Sequence, residues 1–248
     1  MTVTGIVSAY KEGYSHLSYS EVNPVTLDGQ WTNSTEWTDC LDTAISANAV
    51  FRDKWEMAGD FSYIWVKDLI EVTTDTAADT GDYVQICIDS LADGGTAPKA
   101  DDYKIVLTPT TATWYKGTGT AWEAMATPAD TSFKWATSIS ASPTSSTPHR
   151  IYEVQFEKFT LNIGSETDTG VFCEHFSVYD AGNSEAGVQA WPPTSADVPD
   201  DYGNIPWTQD AIPEGLSFGI VLALASIAIV AGAVLVRKRP QITKFATV

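Results

Sequence analysis

The stretch YVQICIDSLADGGTAPKADDYKIVLT, residues 83–108, decides the fold of this chain. Its first seven residues alternate the β-branched Val84, Ile86 and Ile88 with a second set of side chains, which predicts a strand with two different faces. A loop with two adjacent glycines follows, and after it comes a second strand-like run, YKIVLT. The stretch therefore predicts two neighbouring strands joined by an acidic loop.

Similar runs recur on both sides of this stretch, with turn-rich segments between them. Before residue 216, no long segment has the apolar spacing of an amphipathic helix. Strands at intervals of about ten residues, separated by turn signals, predict an all-β antiparallel sandwich. The further predicted strands are FSYIWVKDL (61–69), FKWATSIS (133–140), RIYEVQFEKF (150–159), GVFCEHFSVYD (170–180) and a hairpin in TWYKGTGTAWEAM (113–125).

The C-terminal region contains a different kind of segment. LSFGIVLALASIAIVAGAVLV, residues 216–236, has no charged residue and is long enough, at about 1.5 Å per residue, to cross the roughly 30 Å hydrocarbon core of a bilayer. Arg237, Lys238 and Arg239 follow it directly. Because basic residues stay on the cytoplasmic side, we expect a single-pass helix with residues 237–248 inside the cell and the larger N-terminal part outside.

This topology divides the chain into four predicted parts. Residues 1–190 form the β-sandwich ectodomain, and residues 191–215, with five prolines, form an acidic linker. The membrane helix and the short basic tail complete the chain. The N-terminal residues lack the basic and apolar regions of a leader peptide, so we expect a processed or truncated N-terminus.

The charge balance limits the partners. The chain has 14 Lys and Arg against 32 Asp and Glu, a formal net charge of −18. Such a surface repels nucleic acid phosphates and anionic lipid headgroups. It favours cations, neutral sugars or basic proteins as partners.

Catalytic and redox motifs are scarce. The three histidines do not belong to a His-Glu-x-x-His motif, and no Gly-x-Ser-x-Gly or phosphate-binding loop is present, so we expect a protein that is not an enzyme. Cys40, Cys87 and Cys173 permit at most one internal disulfide. Small buried apolar positions explain Cys87 and Cys173 equally well, because both lie in predicted strands.

Four motifs in chain order carry a family resemblance, and together they span about residues 25–192. They are LDGQWTNSTEWTD (27–39), DFSYIWVKD (60–68), the block 83–105 and HRIYEVQFEK (149–158). They resemble carbohydrate-binding module family 9 and the related DOMON-like domains. The resemblance implies a β-sandwich on a secreted or surface protein, and some members of these families bind sugars while others bind haem. The C-terminal layout, Ile-Pro-Glu-Gly, apolar span and Arg-Lys-Arg-Pro, resembles the membrane anchors of archaeal surface proteins.

Aromatic residues on and near the predicted hairpin are the candidate sugar ligands. A pyranose has an apolar C–H face, which packs against exposed aromatic rings. We predict that Trp114, Tyr115, Trp122 and Trp135 form such a surface, whereas any single Trp is more often a core residue. The tryptophans assigned to packing are Trp31, Trp37, Trp55 and Trp65.

Acidic residues around the Gly-Gly loop are the candidate metal ligands. Asp89, Asp93, Asp101 and Asp102 bracket that loop, and carboxylate oxygens on a flexible loop suit Ca²⁺. The alternative is an acidic surface turn that caps the next strand.

Two further sites are predicted from single residues. Haem would take its axial ligands from His149, His175, Met57 or Met125, although no fixed spacing pairs them. Asn33 begins an Asn-Ser-Thr glycosylation sequon.

These observations predict a membrane-anchored, non-catalytic binding module on the cell surface, for carbohydrate or another extracellular ligand. Two alternatives remain open. One is a structural subunit of a surface layer or filament, which would contact neighbouring surface proteins, and the other is a haem-binding electron-transfer domain.

Overall fold

The structure, a computed structural model, describes residues 10–57, 63–158 and 171–208. Short 3₁₀ helices lie at Ala181–Ala186 and Pro199–Asp201. The strands, in chain order, are β1 (Ser18–Ser20), β2 (Thr43–Ala44), β3 (Ala49–Met57), β4 (Ile64–Val72), β5 (Tyr83–Asp89), β6 (Asp102–Leu107), β7 (Ala112–Gly117), β8 (Trp122–Met125), β9 (Phe133–Ser142), β10 (Ser145–Glu157), β11 (Val171–Tyr179), β12 (Gln189–Trp191) and β13 (Gly203–Thr208).

The strands form two sheets joined at one edge. Sheet A has the order β8-β7-β6-β5-β11-β13, and sheet B has the order β1-β3-β4-β10-β9. Strand β1 joins them because it pairs in parallel with both β13 and β3. The other strand pairs are antiparallel, including those of β12 with β11 and β2 with β3. The predicted all-β class is thus confirmed, and the parallel strand β1 is an addition to it.

The inner faces of the two sheets share one hydrophobic core. The ring of Phe51 on β3 stacks on Phe176 of β11 with 4.0 Å between ring centroids. At the other end of sheet A, Trp114 meets Phe133 of β9 edge-on at 4.9 Å. Each fully buried large apolar side chain contributes roughly 1.5–3 kcal/mol, so these inner faces hold the sandwich together.

The outer face of sheet B is covered by the segment between β1 and β3. Glu153 on β10 accepts hydrogen bonds from the backbone N–H groups of Asp28 and Gly29, at 2.9 and 2.8 Å, and from the Trp37 indole at 3.0 Å. Gly29 has a φ of +78°, and a Cβ there would lie 2.5 Å from the backbone of Thr137. The segment can therefore approach the sheet this closely only with glycine at that position.

Part of the predicted linker belongs to the folded domain, which corrects the predicted boundary at residue 191. Trp191 is buried in the core, and β13 pairs with both β11 and β1. The segment was predicted to be a linker because it is rich in proline. In the structure, Ile205 and Trp207 lie on alternate positions of β13 and pack against the core, although Pro206 lies between them. The remainder of the predicted linker, residues 209–215, lies outside the described residues.

Within the three described ranges, the structure contains no helix that is long and apolar enough to cross a bilayer. The predicted membrane helix, residues 216–236, and the basic tail lie outside these ranges. The three cysteines, Cys40, Cys87 and Cys173, are buried thiols.

Candidate functional site

The outer face of sheet A carries a row of chemically different side chains. The strand registers place His175 opposite Cys87, Cys87 opposite Lys104, and Lys104 opposite Tyr115. These four residues therefore lie side by side across β11, β5, β6 and β7, on the face that points away from the core.

A groove of about 360 Å³ lies on this face, and two members of the row, Lys104 and His175, line it. Its lining is mostly polar, and the chain segment 194–197 forms part of it. We call this feature the groove; the residues of β5, β6 and β11 that line it are Tyr83, Gln85, Lys104, His175 and Ser177.

His175 contributes a buried imidazole to the wall of the groove. Its Nε2 lies 3.1 Å from the carbonyl oxygen of Thr194 and must carry the proton to donate there. Its Nδ1 is buried and has no hydrogen-bond partner among the described residues. Burial lowers the pKa of His175, so the ring is neutral at pH 7 and Nδ1 keeps its lone pair.

Lys104 supplies the positive charge of the groove. Its Nζ lies 4.8 Å from the centroid of the Tyr115 ring and 4.9 Å from that of Trp122. Burial lowers the pKa of Lys104, while the charge of Asp197, another groove residue, acts in the opposite direction. The ammonium is held by two aromatic rings, an arrangement that is favourable by about 0.5–2 kcal/mol.

The structure brings two of the four predicted sugar ligands together. Tyr115 and Trp122 are partly exposed and share Lys104 as a neighbour. Trp114 is fully buried on the opposite, inner face of β7, because successive residues of a strand point to opposite faces. Trp135 lies on β9 of sheet B and packs against the core. Neither Trp114 nor Trp135 reaches the outer face of sheet A.

Three of the four predicted metal ligands form a compact cluster beside the groove. Carboxylate oxygens of Asp89, Asp101 and Asp102 lie within 4.8 Å of one another. Asp89 is oriented by the loop, because its oxygens accept from the N–H groups of Asp93 and Gly94 at 3.3 and 2.7 Å. Asp102 is fully buried, and its Oδ1 has no partner in the described part of the chain.

The electrostatics of this cluster favour a cation or protons. Burial, together with the charges of the neighbouring Asp89 and Asp101, raises the pKa of Asp102 to about 8. Burial likewise raises the pKa of Asp89 to about 6. The carboxylate of the fourth predicted ligand, Asp93, instead forms an ion pair with the Lys99 ammonium at 2.9 Å.

The predicted haem ligands do not converge. His149 lies on the outer face of sheet B, where its two ring nitrogens contact the Thr147 carbonyl at 2.9 Å and Glu71 at 3.0 Å. His175 lies on sheet A, Met125 packs against the core, and Met57 is the last residue of β3 on sheet B.

Asn33 is exposed, as a glycosylation site requires. Its Oδ1 accepts from the hydroxyl of Thr35 at 2.9 Å.

Sequence reasoning missed three polar residues of the groove, Gln85, Lys104 and Ser177, and considered the fourth, His175, only as a haem ligand. A signal for them existed, because they alternate with the apolar inner-face residues of β5, β6 and β11. Which polar strand positions face a groove, however, depends on the segment 194–197, and the linker prediction had removed that segment from the domain.

No protein-family model matches the chain, and no curated protein matches it. Two similar solved structures are of a family 9 carbohydrate-binding module from Caldicellulosiruptor kristjanssonii. One, in complex with cellotriose, has a TM-score of 0.49 and 15% identity, and the match covers 82% of this chain and 98% of the other. The second, in complex with glucose, has a TM-score of 0.49 and 14% identity, with coverages of 80% and 99%.

Proposed function

We propose that this chain is a non-catalytic carbohydrate-binding module whose ligand lies on the outer face of sheet A. The observation that carries the proposal is the mostly polar groove, whose lining residue Lys104 lies against the half-exposed rings of Tyr115 and Trp122. Sugars need both elements, because their hydroxyls form hydrogen bonds while their C–H faces pack on aromatic rings. The resemblance of the four sequence motifs to family 9 modules also favours a sugar.

The proposal is tested by calorimetric titration of the full-length chain, in a detergent without a sugar headgroup, with neutral mono- and oligosaccharides. We expect Trp122→Ala and Tyr115→Ala each to weaken binding by about tenfold. Trp65→Ala is the matched control, since Trp65 is also partly exposed beside a lysine, Lys134, but lies on sheet B. Equal losses in all three variants, or no binding by the unaltered chain, would contradict the proposal.

We further propose that Asp89, Asp101 and Asp102 bind Ca²⁺ and thereby stabilise the edge of this face. The buried, unpartnered Oδ1 of Asp102 supports this, because an isolated buried carboxylate oxygen is costly unless a cation or proton compensates it. We expect Ca²⁺ to raise the melting temperature of the chain and Asp102→Asn to abolish that rise. Asp93→Asn should keep it, because Asp93 pairs with Lys99 instead. A rise that survives Asp102→Asn would contradict this assignment.

The cell-surface location remains a proposal based on the apolar residues 216–236 and the basic residues after them. Protease added to intact cells should digest the β domain and spare the C-terminal tail. Protection of the β domain would reverse the proposed topology.

A further inference from the structure

Lys104 differs from the buried cations elsewhere in the domain. Arg52, Lys54 and Lys67 are each buried, and each forms an ion pair with a carboxylate. Lys104 is half-buried, yet it has no hydrogen bond or ion pair with any residue of the described ranges. This is unexpected in a chain with more than twice as many acidic as basic residues.

The position of Lys104 makes its free donors accessible to a ligand. The rings of Tyr115 and Trp122 hold the ammonium without using its N–H groups in conventional hydrogen bonds. The same side chain lines the groove together with Gln85 and His175. A partly desolvated ammonium gains most from an anionic acceptor, because charge-assisted hydrogen bonds are roughly twice as strong as neutral ones.

We propose that the groove prefers acidic sugars, and that Lys104 determines this specificity by binding the carboxylate of a uronic acid. The inference rests on the proposed sugar-binding function and names the ligand class of the same site. Tyr115 and Trp122 then pack beside the pyranose ring, and the half-exposed amide of Gln85, which lines the same groove, contacts the sugar hydroxyls. Asp197 lines the same groove without an ion pair to Lys104 and supplies a second acceptor for hydroxyls.

The test compares pairs of sugars in which the acid has a carboxylate where its neutral partner has a hydroxymethyl group. Glucuronic acid and glucose, and galacturonic acid and galactose, are titrated into the full-length chain by calorimetry at low and at high salt. We expect each acid to bind about tenfold more tightly than its neutral partner at low salt, with a smaller preference at high salt. Lys104→Met keeps most of the length of the side chain and removes the charge. It should abolish the preference, so that each acid and its neutral partner bind with equal affinity.

Lys134→Met is the matched control, since the Lys134 Nζ also lies over an aromatic ring, that of Trp65, but on the other sheet. It should retain the preference, and unchanged melting temperatures should show that both variants fold. Equal binding of acidic and neutral sugars, sensitive to Trp122→Ala, would overturn the role of Lys104 and leave sugar binding intact. An absence of binding to either class would overturn both proposals.

Discussion

The domain buries carboxylates in two regions, and the neighbouring residues favour the ionised form in one region and the protonated form in the other. On the outer face of sheet B, Glu71 lies against Arg52 and His149, and Asp39 lies 2.9 Å from the Lys54 ammonium. In the interior between the sheets, Asp53 and Asp68 face each other across β3 and β4 without any cation beside them in the described structure. The carboxylates of the first region form ion pairs, whereas those of the second have no cation beside them among the described residues.

Hydrogen bonds reinforce the ion pairs on sheet B. Glu71 accepts from Arg52 Nη1, from the Thr144 hydroxyl at 3.2 Å, and from His149, whose Nε2 lies 3.0 Å away. Burial alone would raise the pKa of Glu71, but the hydrogen bond from His149 and the charge of Arg52 outweigh it and lower the pKa to about 2. The folded state therefore keeps this carboxylate ionised.

The pKa values of the interior acids are shifted in the opposite direction. Asp53, Asp68 and Glu174 are fully buried, and none of their carboxylate oxygens has a hydrogen bond of good geometry to a described residue. Burial raises the pKa of Asp53 to about 7, although the nearby Ser18 and Asp68 side chains lower it somewhat. Burial and the neighbouring acids raise the pKa of Asp68 and of Glu174 well above their usual values. The folded state therefore favours the protonated form of these groups.

The two regions thus respond to pH with opposite signs. The lowered pKa of Glu71 gives stability that is present above about pH 4.5 and is lost as the pH falls towards 2. The raised pKa of Asp53 gives stability that is present below about pH 3.8 and is lost as the pH rises through about 7. Burial by itself does not decide how a carboxylate affects stability, because the neighbouring charges decide which protonation state the fold selects.

The largest expected effect comes from breaking the paired region. Glu71→Ala leaves the buried His149 without its anion and Arg52 with only the exposed Asp42 as an ion-pair partner, and removing one partner of a buried ion pair costs about 3–5 kcal/mol. Urea unfolding at about pH 7 measures the change in the free energy of unfolding. Glu123→Ala is the control, because Glu123 is exposed on β8. A loss below about 1 kcal/mol would show that Glu71 is not the charge that holds this face together.

A smaller effect of the opposite sign is expected in the interior. The unaltered chain should unfold more easily as the pH rises from about 4 to about 9, because Asp53, Asp68 and Glu174 must then give up their protons in the core. Asp68→Asn removes one ionisable group, so it should stabilise the chain at about pH 8 by about 1–3 kcal/mol and flatten this dependence.

Melting temperatures across that pH range measure the effect of Asp68→Asn. Asp130→Asn, an exposed position, provides the control for the change in net charge. If the unaltered chain became more stable with rising pH, and Asp68→Asn made no difference, the interior acids would not carry protons in the folded state.

Alternation along single strands allowed most of the fold to be predicted. Strand β5 was predicted with its exact bounds, and the hairpin of β7 and β8 was predicted from its aromatic residues and the Gly-Thr-Gly turn. Strand β3, FRDKWE at its centre, was missed, because it carries charge on both faces. Arg52 and Lys54 point outward to partners that come from other segments of the chain, and Asp53 points into the core. A local sequence pattern does not predict that a charged residue will be paired with a residue from a distant segment.

The candidate site could be predicted only in part for a related reason. Tyr115 and Trp122 were identified by residue type, but Trp114 was included with them although it is on the other face of the strand. The cluster of Asp89, Asp101 and Asp102 was predicted because its members lie at the two ends of one loop. Lys104 was missed because what distinguishes it is the lack of a hydrogen-bond or ion-pair partner among the described residues, which only the three-dimensional arrangement reveals.

The smallest effect on stability is expected from breaking an exposed ion pair. This measurement separates the contribution of burial from that of the ion pair itself. Lys11 and Asp201 form an ion pair at 2.8 Å, as short as the buried pairs on sheet B, but both side chains are more than one-third exposed. Water solvates these charges when the pair is broken, so Lys11→Met should change the free energy of unfolding by less than about 1 kcal/mol, and added salt should reduce even that. Urea unfolding of this variant beside Glu71→Ala provides the measurement. Comparable losses in the two variants would mean that the ion pair itself, and not the burial of its charges, accounts for the stability of the outer face of sheet B.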